Sequence, residues 1–266
     1  MALPLTKSAV EALGKRLVTC SPPASDDIEL LQKLLLAYDE PLAIAMDLVR
    51  HHLRQEPTSR IKTTRAILDK LHRNGGSILK GMQDLAGMRI VSDCDRQEQD
   101  RLAEDLMRLF TEYGDPLPKR IDRREHPSHG YRAVHVIVYI NGAPVEIQLR
   151  TKLQHEWANL FEKLVDRVGR GIRYGEPPEH WLDQTTMLNM ANDEIRENLY
   201  RTSYKVREVT VSFARSLSDV IDAYERHAMK LNSDELTELN TSIANGFAVI
   251  QSHIDEMEPR TPPTSS

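Results

Sequence analysis

The chain has 266 residues, enough for a sizeable core in one large or two small domains, and its 40% hydrophobic and 28% charged content is that of a soluble globular protein. A net charge of −5 leaves any polyanion site to local clustering, and two cysteines far apart, Cys20 and Cys94, exclude a disulfide framework and a cysteine-based zinc site. No apolar run approaches a membrane span and no signal-peptide core opens the chain, so a cytoplasmic setting is expected.

The first residues hold a short amphipathic stretch, Ser8 to Val18, ended by Ser21-Pro22-Pro23. Asp26 or Asp27 is expected to cap a helix over IELLQKLLLAY, and Asp39 to start another with Pro41 in its first turn, running to about Gln55. Thr58 to Lys80 reads as a third helix, capped by Thr58 or Ser59 and spaced by Ile61, Ile67, Leu68 and Leu71. Asn74-Gly75-Gly76 ends its regular part. This stretch sets Arg60, Lys62, Arg65, Lys70, Arg73 and Lys80 against one acid, Asp69. Taken alone the pattern is that of a solvated basic helix face, and the alternative is a clamp for a triphosphate.

Asp84 stands at the entrance of a strand over Gly87 to Val91 that carries Arg89. An amphipathic helix over Arg96 to Tyr113 follows and breaks at Gly114-Asp115-Pro116. Lys119 to Ser128 reads as a charged loop whose Lys119, Arg120, Arg123 and Arg124 are either plain surface or a means of steering a second polyanion towards Tyr131.

The most informative stretch is HGYRAVHVIVYINGAPVEIQLRT, His129 to Thr151. Asn141-Gly142 between two β-branched runs is a hairpin signal, because both residues tolerate positive φ. A side-chain period of two puts Glu146, Gln148 and Arg150 on one face and Val145, Ile147 and Leu149 on the other. On the first strand Tyr131, Ala133 and His135 fall together. Such a polar face is compatible with a solvated hairpin or with the floor of a site. Asp84 and Glu146 beside one sheet are what a magnesium site asks for, since Mg²⁺ takes one or two carboxylates and leaves the rest to water and phosphate.

Leu153 to Val168 then reads as a helix with Trp157, Leu160, Phe161 and Leu164 inward. From Pro178 to Met257 the pattern is helical, interrupted near Asn232-Ser233-Asp234. Thr185 to Leu231 is one long helix or two in series, with apolar positions at three and four, as on a helix packed along a domain or a partner. Residues 258–266 are rich in Pro, Ser and Thr and are expected to be a disordered tail.

Four of these pieces together resemble the synthetase domain of RelA/SpoT-like pyrophosphokinases, in particular its small single-domain members. They are Arg60-x-Lys62 with Lys70 eight residues on, Asp84-Leu-Ala-Gly-Met-Arg89, Gly130-Tyr131-Arg-Ala-Val-His135 and Glu146-Ile-Gln148-Leu-Arg150-Thr151. The resemblance spans roughly residues 40–175. It implies an α+β fold: a mixed sheet of about five strands wrapped by helices, of nucleotidyltransferase-like type, with helical extensions at both ends. The expected division is an N-terminal helical extension over 1–57, a synthetase core over 58–175, a C-terminal helical region over 176–257 and the tail.

By this resemblance the chain moves the β,γ-pyrophosphate of ATP onto a ribose 3′-hydroxyl. The acceptor is GDP or GTP, giving (p)ppGpp, or, as in toxin-type relatives, the 3′-terminal adenosine of tRNA. Arg60, Lys62, Lys70 and Arg89 are implied to bind ATP, and Asp84 and Glu146 to hold Mg²⁺ and carry the chemistry. Tyr131, His135, Gln148 and Arg150, with Arg123 and Arg124 of the charged loop, are implied on the acceptor side. Residues 1–57 are too few for the hydrolase domain of the larger members, so synthesis without breakdown is expected. That in turn implies a neutralising antitoxin protein or a separate hydrolase, docked or not on C-terminal helices that would also serve self-association. A non-catalytic nucleotide- or RNA-binding module is the remaining alternative, and the presence of both acids weighs against it.

Overall fold

The computed structural model describes residues 4–113, 116–179 and 193–257. Its centre is a mixed five-stranded sheet in the order β1-β2-β5-β4-β3. The strands are β1 (Thr58–Ile61), β2 (Ala86–Ser92), β3 (Lys119–Asp122), β4 (Val134–Ile140) and β5 (Ala143–Thr151). β1 pairs antiparallel with β2, and β4 antiparallel with both β3 and β5. The β4–β5 hairpin turns at Asn141 and Gly142, whose φ values of 52° and 78° are the left-handed pair a two-residue turn needs.

Five helices belong to the same unit: α1 (Lys7–Thr19), α2 (Ser25–Leu36), α3 (Asp39–Leu53), α4 (Thr64–Asn74) and α5 (Arg96–Tyr113). α3 lies against β2 and β4, α5 against β3 and β4, and α1 against α2 and α4. Their apolar stripes and the sheet share one core, from Leu13, Leu17 and Leu31 through Ile67 and Leu71 to Val136, Val145 and Ile147. β5 alternates as expected: Val145, Ile147 and Leu149 are buried, Glu146 and Gln148 half-buried. This unit comprises residues 1–122 and 133–150.

The second unit comprises residues 123–132 and 151–266. It contains α6 (Lys152–Val168), the 35-residue α7 (Asp193–His227) and α8 (Ser233–Glu256). Trp157, Phe161 and Leu164 of α6 form its core with Leu217 and Ile221 of α7 and Ile243, Ile250 and Ile254 of α8. Trp157 stacks on Phe161 with centroids 4.8 Å apart and donates its indole N–H to Ala214 O at 2.6 Å. Thr151 and Gln154 form a capping box at the start of α6, and both donate to the buried Glu225 carboxylate, Gln154 at 2.7 Å. Asn232 and Glu235 cap α8 in the same way.

Several local expectations change. Thr58 to Ile61 is an edge strand and not the first turn of a helix, so neither Thr58 nor Ser59 is a cap; Thr63 caps α4 by accepting from Ala66 N at 3.3 Å. Ladder bonds to β2 outweigh a helical spacing that only one residue of this tetrapeptide, Ile61, supported. The cap of α2 is Ala24, with Asp26 and Asp27 inside the first turn beside the positive end of the helix. Lys119 to Asp122 is strand β3 rather than loop. Strand β4 starts at Val134, because His129 and Gly130 both take positive φ and turn the chain, so the two-residue parity cannot be carried back to Tyr131. Residues of helices α1 to α3 share the core of the sheet. The break at Gly114-Asp115, residues 185–192 and the expected tail over 258–266 lie outside the described residues. Among the described residues no helix is long and apolar enough to cross a membrane.

Candidate functional site

Strands β1, β2 and β5 lie side by side, and their polar faces line one cleft of about 350 Å³, part of it open to solvent. Its walls are Arg60 and Lys62 from the end of β1, Asp84 and Arg89 from the entrance and body of β2, and Glu146 and Gln148 from β5. Gly87 and Met88 complete the lining. Gly87 is the register partner of Arg60, and a Cβ on it would meet Glu146 O at 2.6 Å. Only glycine lets β5 approach β2 this closely, and it leaves the floor of the cleft open between Arg60 and Glu146.

Asp84 is held by two cations. Lys62 Nζ donates to Oδ2 at 2.7 Å, and Lys70 Nζ donates to Oδ1 and Oδ2 at 3.1 and 3.3 Å. The backbone fixes this meeting, because Lys62 N also donates to Leu85 O at 2.9 Å. Burial pushes the Asp84 carboxyl up, but hydrogen bonds and charge from Lys62 and Lys70 outweigh it and hold the group below its usual range.

Glu146 anchors a chain of polar groups along β5. Its Oε1 lies 3.0 Å from His135 Nδ1, its Oε2 accepts from Gln148 Nε2 at 2.8 Å, and Gln148 Oε1 accepts from the Arg150 guanidinium at 3.0 Å. His135 is the register partner of Gln148, so it meets Glu146 on the diagonal. Burial and the negative charge of Asp84 push the Glu146 carboxyl up, while His135 and Gln148 overcome both and hold it low. Both carboxylates therefore stay ionised at neutral pH, close enough for one to feel the other.

This donor set fits Mg²⁺. Asp84 and Glu146 line one cleft, and one or two carboxylates are the small protein share taken by a hard cation that completes its shell with phosphate and water. Lys62, Lys70, Arg60 and Arg89 supply positive charge around them, suited to an anionic ligand.

Of the residues singled out in the sequence, Arg60, Lys62, Lys70, Asp84, Arg89, His135, Glu146, Gln148 and Arg150 gather at or directly beside the cleft. Tyr131, Arg123 and Arg124 belong to the second unit. There Tyr131 is half-buried and Arg123 exposed, whereas Arg124 is 2% exposed and so is not a solvent-facing steering charge. Its burial follows from tertiary packing that a basic run does not reveal. Sequence reasoning gave no role to Gly87; a glycine inside a strand pattern is the signal that marks close backbone approach.

Residues 59–164 match the family model described as the region found in RelA / SpoT proteins. The chain is 48% identical over 122 residues to an uncharacterized protein of Mycobacterium tuberculosis H37Rv and, to the same extent, to an uncharacterized protein of Mycobacterium bovis. The match covers 46% of this chain and 44% of each relative, so the chain spans less than half the length of the curated relatives it matches. Among solved structures, the small alarmone synthetase 1 of Bacillus subtilis aligns at 19% identity and a TM-score of 0.44, covering 82% of this chain and 99% of that one. The same synthetase bound to its product pppGpp aligns at 20% identity and a TM-score of 0.40, over 67% of this chain and 97% of that one. The stretch that matches this family model, residues 59–164, holds every cleft residue, from Arg60 to Gln148.

Proposed function

We propose that the cleft transfers the β,γ-pyrophosphate of ATP to the 3′-hydroxyl of GDP or GTP, making (p)ppGpp. The observation that carries this reading is the convergence of two ionised carboxylates, Asp84 and Glu146, with Arg60, Lys62, Lys70 and Arg89 in one cleft of a RelA/SpoT region. Pyrophosphoryl transfer needs little covalent help from a protein; it needs alignment of two substrates and neutralisation of phosphate charge.

In this reading Asp84 and Glu146 hold Mg²⁺, which when bound neutralises charge on the phosphates. Arg60 and Arg89 grip phosphate oxygens through their planar forks, and Lys62 and Lys70 act as point charges that turn from Asp84 to the incoming triphosphate. Glu146, held ionised by His135 and Gln148, accepts the hydrogen bond of the attacking hydroxyl. A carboxylate held this low is a weak base, so its contribution is mainly orientation and charge. Gln148 and Arg150 keep Glu146 from rotating away. Tyr131 and Arg123 are assigned to the acceptor, with Tyr131 offering its ring to the base.

The test is transfer of label from γ-³²P-ATP with Mg²⁺ to GDP, GTP or deacylated tRNA, each offered alone, beside a Glu146→Gln control. Label on GDP or GTP that disappears in the control is the expected result. Label on tRNA alone replaces the acceptor and makes the chain a translation-blocking enzyme. Absence of transfer to all three, with ATP binding intact, reduces the cleft to a nucleotide-binding site.

A further inference from the structure

The cleft takes its lining from β1, β2 and β5, yet the neighbouring strand β4 turns a face towards the same side of the sheet. Val134, Val136, Val138 and Ile140 of β4 are in the core, so His135, Ile137 and Tyr139 lie on the opposite face, that of Glu146 and Gln148. Ile137 is the register partner of Glu146. His135 and Tyr139 stand two residues to either side of it, roughly 13 Å apart along the strand, and are the diagonal neighbours of Glu146. His135 uses its position to hold the Glu146 carboxylate at 3.0 Å. Tyr139 uses its own differently: its hydroxyl accepts from Gln83 Nε2 at 3.1 Å, and Gln83 is the residue before Asp84.

Asp84 needs such a tether. It lies on a connector, residues 82–85, between the 3₁₀ turn Gly76–Gly81 and the start of β2, outside a ladder with β1 whose register ends at Ile61 and Ala86. Met82 and Leu85 are buried and anchor the two ends of the connector, with Gln83 and Asp84 half-buried between them. The bonds that hold the Asp84 carboxylate itself come from Lys62 and Lys70, the two cations assigned above to the triphosphate. A cation that turns to phosphate stops holding the carboxylate. The amide of Gln83 and the phenol of Tyr139 attract phosphate far less than an ammonium does, so their bond survives that exchange.

We infer that Gln83 and Tyr139 are positioning residues for Asp84, and that β4, through His135 and Tyr139, sets the spacing of the two carboxylates towards a divalent cation. The inference rests on the pyrophosphoryl-transfer reading of the cleft and adds to it the groups that keep Asp84 in place once Lys62 and Lys70 have turned away. Each carboxylate then has a holder on the same strand: His135 acts on Glu146 directly, and Tyr139 acts on Asp84 through Gln83. Ile137 between them is 1% exposed, so β4 is fixed at the point from which both holders are measured. Partners of this kind, behind the groups that touch a metal, are worth about 10- to 100-fold in metal affinity or activity.

The test uses the full chain, Mn²⁺ in place of Mg²⁺ and an ATP analogue that cannot transfer its pyrophosphate. Water proton relaxation is the readout, because it separates metal held on the protein from metal on free nucleotide. Tyr139→Phe and Gln83→Leu are each expected to weaken metal binding about tenfold. The double variant should be no weaker than either single one, because both changes break the same bond. In the transfer assay kcat of each variant should fall at low Mg²⁺ and recover as Mg²⁺ is raised, with the denaturant midpoint unchanged. Unaltered metal affinity in both single variants, losses that multiply in the double variant, or a loss that follows the unfolding midpoint and resists added Mg²⁺ overturns the proposal. A parent chain that holds no metal with the analogue overturns it together with the reading of the cleft. Because the binding measurement needs no transfer, failure of the transfer reading shows in the parent chain's assay and failure of the proposal in the variants' affinities.

Discussion

The two contact units each gather charged side chains, and they use them in opposite ways. In the sheet unit the Asp84 carboxylate meets two lysines within reach of water, with side-chain exposures of 13, 25 and 33% for Lys62, Asp84 and Lys70. In the helical unit Glu225 is 6% exposed and receives Thr151 and Gln154, both nearly fully buried, so its bonds fix the start of α6. Arg132 there is 8% exposed and is bound by Ser218, Asp219 and the carbonyl of Arg124. The first cluster can exchange its partners for a ligand at small cost, because solvent already shares in the solvation of its charges. The second cannot, because each group lost leaves another unsatisfied in a dry place. Charge that is accessible can serve chemistry, and charge that is sealed can only serve the fold.

This contrast is open to attack from three sides. The largest effect is expected from Glu146→Gln or Asp84→Asn, each lowering kcat for transfer by about 10²–10³, the scale for removing one electrostatic stabiliser, while the unfolding midpoint hardly moves. A matching fall in both would show that the cleft residues are structural like those of the helical unit. Next comes Glu225→Ala, which should lose about 3 kcal/mol of stability in denaturant while kcat per folded molecule stays the same, because it strands two buried donors. An unchanged midpoint would remove the distinction from the other side. The smallest effect concerns Tyr38, 4% exposed in the sheet unit's core, whose hydroxyl is pushed by burial from 10.0 up to about 12. The folded group stays neutral where the unfolded one ionises. Its stabilising contribution is therefore complete below pH 10.0 and is lost as the pH rises towards about 12, a loss on the order of 2 kcal/mol. Tyr38→Phe should flatten that part of the stability profile, and equal alkaline losses in both chains would show that the hydroxyl reaches water.

Much of the cleft could be read before the fold was known, for a simple reason. Glu146, Gln148 and Arg150 lie on one strand whose parity is fixed by the Asn141-Gly142 turn, so a local pattern sufficed. Asp84 was legible as an acid just ahead of a β-branched run. Arg60 and Lys62 were recognised as cations but placed on a helix, because a four-residue edge strand owes its existence to the ladder with β2 and not to its own residues. The burial of Arg124 was hidden for the same kind of reason, being decided by neighbours far along the chain. The apolar positions of α7 were visible as a three-and-four spacing, yet which of them are buried depends on the packing of α6 and α8.

Thr151 ends β5 and caps α6, so strand passes into helix with no intervening residue. One extra residue at this junction would either invert the faces of the strand or turn the apolar stripe of α6 by about 100° from α7 and α8. The Asn141-Gly142 turn has no such double duty, both of its residues being exposed at the tip of the hairpin they close. A lineage carrying this fold is therefore free to lengthen at the hairpin tip and is frozen in length at the strand-to-helix junction, and a reporter peptide grafted into the chain belongs at the tip.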